Sequence, residues 1–223
     1  MIDTATNTVT KTVTVGRAPV AVAPSPDGKR VYVLNEEYHD VFDEEADDRG
    51  SVTVIDAQTN TVLSTVAVGR HPASLLVGPD SSTLYVTDLG AAGGDPSGIT
   101  VLDTESLQIL DHIAVGLNPN MMAVNPDGTQ LFVTDWSNDG MWVIDTTTNT
   151  VGALIDGPTG GLAVSPDGRY VYATGDESLG VTDDSGLTVA GIAVIDTATN
   201  EVVSTTNVDS TLWDVAVSPD GRT

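Results

Sequence analysis

The residues of this 223-residue chain best equipped for chemistry are its acids. Aspartate supplies 25 of the 32 acidic side chains, against eight basic ones, and the net charge is −24. Acidic oxygens that converge on one point hold calcium or another hard cation. Paired carboxylates can also do acid–base work. The other reactive types are thin. His39, His71 and His112 stand far apart, whereas a catalytic zinc takes three clustered ligands. There is no cysteine, so no thiol chemistry and no disulfide. No Gly-x-Ser-x-Gly elbow and no Gly-x-x-x-x-Gly-Lys loop occurs. Gly93-Gly94-Asp95 lacks the strand-to-helix setting of a phosphate cradle.

Many of the aspartates fall on a repeat. Asp3, Asp56, Asp103, Asp145 and Asp196 each close an apolar pair such as Val54-Ile55, and they lie 53, 47, 42 and 51 residues apart. Asp27, Asp80, Asp127, Asp167 and Asp220 each follow a proline, at spacings of 53, 47, 40 and 53. Two markers drifting on one period define a repeated unit of blade size. In Pro26-Asp27-Gly28 the proline presets φ, the aspartate bonds back to the chain and the glycine takes the left-handed position. In Asp56-Ala57-Gln58-Thr59-Asn60 the aspartate caps free amides and the asparagine tolerates positive φ. These ten aspartates are expected to hold turns rather than to catalyse.

Stepping outward from the turns, each unit reads as four short strands, A to D. In the first they span 20–23, 30–34, 51–55 and 61–68. All are rich in Val, Thr, Ile and Tyr, which suit a pleated, packed surface. Strand A is apolar on successive residues, as expected of a sheet covered on both faces. No stretch has a helical period. The fold expected is all-β: a β-propeller of four-stranded antiparallel blades at about 20–68, 73–115, 121–155 and 160–207. Partial blade strands at 1–15 and 212–223 flank them. Either the chain is a segment of a larger propeller, or it is a five-bladed ring with one defective blade.

Tyr32-Val33-Leu34-Asn35, Tyr85-Val86-Thr87-Asp88 and Phe132-Val133-Thr134-Asp135 carry a family resemblance. With the Val-Gly-Arg-x-Pro, Ser-Pro-Asp-Gly and Val-Ile-Asp-Thr-Ala-Thr-Asn phrases, the chain resembles the YVTN-type β-propeller repeat family over essentially its whole length. The fourth copy departs, reading Tyr172-Ala173-Thr174-Gly175, and Asp156-Gly157-Pro158 lacks the Val-Gly-x-x-Pro form. The resemblance implies a propeller, commonly secreted, periplasmic or displayed on prokaryotic cell surfaces. It implies no single activity. No leader is visible before the first repeat, so a cytoplasmic location stays open beside the exported ones.

Propeller topology puts the A–B and C–D turns on one rim and the variable B–C and D–A loops on the other. Variable loops on a rigid scaffold are where binding resides. The residues it places there are Arg17, Asn35, Glu36, Arg70, His71, Asp88, Asn118, Asn120, Asp135, Trp136, Asp176, Glu177 and Trp213. Trp136 and Trp213 offer a stacking surface for a sugar or peptide. No cofactor is expected; were calcium to bind, Asp88, Asp135 and Asp176 are its ligands. The function expected is a non-catalytic binding or scaffold module for a protein or glycan. The alternative is a propeller enzyme with a channel-mouth site, either a metal-dependent, lactonase-like hydrolase or a redox-cofactor protein. The charge argues against nucleic acid and anionic lipid, and no apolar run is long enough to insert in a membrane. Oligomeric state is open.

Overall fold

The computed structural model describes residues 1–36, 49–90, 97–137, 140–175, 190–208 and 212–223. Among them there is no helix. A short hairpin, β1 (Ile2–Asp3) with β2 (Thr8–Val9), precedes four four-stranded antiparallel sheets. The first sheet holds β3 (Pro19–Pro24), β4 (Arg30–Asn35), β5 (Arg49–Asp56) and β6 (Thr61–Arg70). The second holds β7 (Pro72–Val77), β8 (Thr83–Asp88), β9 (Gly98–Asp103) and β10 (Ile109–Ala114). The third holds β11 (Pro119–Val124), β12 (Gln130–Asp135), β13 (Gly140–Asp145) and β14 (Thr150–Asp156). The fourth holds β15 (Leu162–Val164), β16 (Tyr170–Gly175), β17 (Gly191–Asp196) and β18 (Glu201–Asn207).

Each sheet is a simple meander, and the sheets meet through their first strands: β3 packs on β7, β7 on β11 and β11 on β15. These strands are innermost. The last strands, β6, β10, β14 and β18, are mostly exposed and form the outer edge. Register shifts at Val54/Ile55, Ile109/Asp111, Trp142/Ile144 and Val194/Ile195 kink the outer pairs. Such bulges blunt an edge that would otherwise template further pairing.

The core lies between sheets, in three layers. Tyr32, Leu34, Val52 and Val54 of the first sheet pack on Leu75, Leu84 and Val86 of the second. Tyr85, Ile99 and Val101 face the other way, onto Met122, Leu131 and Val133. Phe132, Met141 and Val143 meet Val171, Ala173 and Ile195. Alternation along one strand thus feeds two cores, because successive side chains leave opposite faces. That explains the unbroken apolar runs of strands A and B.

The turns follow the repeat. All ten repeat aspartates accept a backbone N–H two residues on, at 2.8–3.2 Å. Gly28, Gly128, Gly168 and Gly221 have φ of +67° to +77°, and Asn7, Asn60, Asn149 and Asn200 have φ of +53° to +57°. Two copies break the pattern while keeping the shape: Ser81 sits at +65° and Leu107 at +58°. Leu107 packs against the first core layer, which offsets the cost of its backbone.

Candidate binding site at the variable rim

The B strands end on this rim in Asn35, Asp88 and Asp135, all buried. Each is engaged by the chain. The Asn35 amide donates to Ser51 Oγ at 3.1 Å and Thr53 Oγ1 at 3.0 Å. Asp88 Oδ2 accepts from Thr100 Oγ1 at 2.9 Å, and Oδ1 lies 3.5 Å from His112 Nε2. Asp135 accepts from the amides of Leu117, Asn118 and Ser137 at 3.0, 3.2 and 2.9 Å. The Trp142 indole lies 3.4 Å away.

This geometry accounts for the glycine of the Val-Gly-x-x-Pro phrase. A Cβ at Gly69 would run into Asp88, and one at Gly116 into Asp135. The glycine closing one blade therefore makes room for the carboxylate that ends strand B of the next. Backbone bonds repeat the tie: Glu36 N donates to Ala18 O, Leu89 N to Arg70 O and Trp136 N to Asn118 O, at 3.0, 3.2 and 3.3 Å.

The other rim residues separate into groups. Arg17 is exposed before β3, and Arg70 ends β6 opposite Arg49. His71 Nδ1 lies 3.9 Å from Glu36 Oε1, so neighbouring blades meet there. His71 itself has φ +47°. Asp176 and Glu177, like His39, lie outside the described residues. Among the described residues no three His, Cys, Asp or Glu side chains come together as a metal site.

Asn120, Trp136 and Trp213 do converge. With Met121, Thr159, Gly160, Gly175 and Leu212 they line a hollow of about 180 Å³ formed by the third blade, the fourth blade and the segment that follows it. Trp136 is 53% exposed and Trp213 75%. The Trp136 indole N–H donates to Thr159 O at 2.7 Å, which fixes the ring at the hollow's edge. Met121, Thr159 and Gly160 escape a reading of the sequence. They are unremarkable residue types, and only the packing of adjacent inner strands makes them neighbours of the two tryptophans.

The opposite rim carries a wider hollow of about 400 Å³, lined by turn residues of the first two blades that include Asp27, Arg30, Tyr32, Asp80 and Asp103. Arg30 donates there to Thr104 O. Asp27 is held at about 2 by the Ser25 hydroxyl and then by the Lys29 amide. Asp56 and Asp103 are lowered first by the amides of Thr59 and Ser106. Burial pushes the Tyr32 and Tyr85 hydroxyls up. Hydrogen bonds to the charged form keep these turn aspartates ionised, which suits caps and not general acids.

Sheets meeting through their inner strands, with tight turns on one rim and variable loops on the other, define a β-propeller. Solved structures agree. The chain has 28% identity to Kuenenia stuttgartiensis hydrazine synthase, covering 96% of this chain and 56% of that one, with TM-score 0.75. It resembles the β-propeller domain of Myceliophteria thermophila Cps50 (Swd1) at 13% identity, 96% and 63% coverage and TM-score 0.74. A functionally unknown protein from Desulfotomaculum acetoxidans DSM 771 matches at 16% identity, 94% and 62% coverage and TM-score 0.69. At 13% and 16% the likeness is one of fold alone. The chain spans between half and two thirds of these proteins' lengths. No curated protein matches it. Residues 1–156 match the model of the choice-of-anchor I domain, and the chain belongs to that family.

Proposed function

We propose that this propeller is a non-catalytic binding module of a secreted or cell-surface prokaryotic protein, and that it holds a protein or glycan on the rim of B–C and D–A loops. The family's name points to proteins fixed to a surface. The YVTN-type phrases of strand B point the same way. One observation carries the reading. Asn120, Trp136 and Trp213, from three separate segments, meet in an open hollow whose described lining is mainly aromatic, aliphatic and amide, and among the described residues no carboxylate, imidazole or amine lines it. That lining recognises and does not transform. The strand-end carboxylates Asp88 and Asp135, the nearest candidates for a cation, are engaged by the chain: Asp88 bonds Thr100 within its own blade and packs on Gly69 of the preceding one, and Asp135 accepts from the amides of Leu117 and Asn118.

The test is to probe the full chain against glycan and peptide arrays. Binding is expected, lost with His71→Ala, Asn118→Ala or Trp213→Ala and kept with Lys29→Ala on the opposite rim. The reverse pattern overturns the reading.

The 28% likeness to hydrazine synthase favours a second reading, an enzyme with a metal or redox group at the channel mouth. Elemental analysis of protein purified without chelator separates the two. A stoichiometric transition metal supports the enzyme. Metal-free protein whose Tm does not move on adding calcium supports the binding module.

A further inference from the structure

Counting back five residues from Ser25, Gly78, Asn125, Ser165 and Ser218 finds one register position of the inner strands. It holds Val20, Ala73, Asn120, Gly160 and Trp213. The fourth copy has lost its Val-Gly-x-x-Pro phrase, and β15 starts only at Leu162. Gly160 there lies so close to Thr174 that a Cβ would collide with it. The glycine lets this segment lie against Thr174, and the hollow lies beside it, with Asn120 and Trp213 at its lining.

The chemistry of the hollow is narrow. Trp136 spends its one polar atom on Thr159 O, so what it offers a ligand is π surface. Trp213 lines the same hollow and is mostly exposed. Among the described residues no lysine or arginine lines the space, and the net charge of −24 repels anions. A volume of about 180 Å³ is below the range for drug-sized ligands and suits a single ring. We infer that this hollow binds a neutral pyranose unit of a glycan. The sugar's C–H face lies on the tryptophan rings, and its hydroxyls bond the Asn120 amide and nearby backbone. The inference rests on the binding-module reading and narrows it to a residue set and a ligand class.

The full chain is titrated with cellohexaose, chitohexaose and mannohexaose, with trigalacturonic acid and a lysine-rich peptide for comparison. Tryptophan fluorescence and calorimetry report binding. At least one neutral hexasaccharide is expected to bind, weakened about tenfold or more by Trp213→Ala and less by Asn120→Ala, with Tm unchanged in both. Trigalacturonic acid should not bind. Sugar binding unaffected by Trp213→Ala overturns the site, and the module reading then stands or falls with the His71→Ala and Asn118→Ala arms of the array experiment. Peptide binding lost in Trp213→Ala, without sugar binding, overturns the ligand class. Failure of all these probes overturns the glycan assignment, and the array experiment above then decides the module reading separately.

Discussion

At the scale of the residue, the aspartates are the clearest lesson. A chain with 25 of them looks built for metal or acid–base chemistry, yet the repeat aspartates spend an oxygen on the backbone two residues on. That use has a pH signature. The folded pKa of Asp27, about 2, lies below its ordinary value of 3.8. Its stabilising contribution is therefore complete above about 4 and is lost as pH falls through 2. The urea midpoint of the wild type should fall across that window, and the difference between wild type and Asp27→Asn should shrink towards its acid end. Comparing the two removes the opposing effect of relieved self-repulsion, which both share. Positive φ gives a second prediction. Asn60 at +56° is expected to cost about 1 kcal/mol when replaced by alanine, read by chemical denaturation.

At the scale of the element, blade joins depend on shape as much as on apolar area. Gly116 has φ +60° and abuts Asp135, whose carboxylate collects three amides. Gly116→Ala adds a backbone penalty to a collision, and should destabilise by about 3 kcal/mol or more. Phe132, fully buried between the third and fourth sheets, should cost about 3–5 kcal/mol on replacement by alanine. Both are checked by denaturant unfolding with constant m-value. The glycine was visible in the sequence as part of a phrase. Its reason was not, since Asp135 lies 19 residues further on, in another blade.

At the scale of the molecule, no described four-stranded sheet packs on the far side of the first sheet. On the first sheet's inner strand Val20 and Val22 are exposed. Such apolar surface seeks cover, and we propose that further blades of a larger ring supply it. The 223-residue chain alone is then expected to self-associate at micromolar concentration, and Val22→Asp should shift it towards monomer in light scattering. A monomeric wild type would count against the larger ring. The charge of −24 works in the other direction, so the association should strengthen with added salt.

The sequence by itself determined the strands, the turns and their repetition, because these depend on neighbours a few residues apart: a proline, an aspartate and a glycine in order, an apolar run, a break. It also determined which rim varies. Only the tertiary structure decided which rim residues meet. Asp88 and Asp135 turned inward against Gly69 and Gly116 of the preceding strand and loop, His71 drew near Glu36, and Asn120, Trp136 and Trp213 came to line one hollow. Those meetings are made by tertiary packing within and between blades, across separations of 16 to 93 residues, and no local spacing records them.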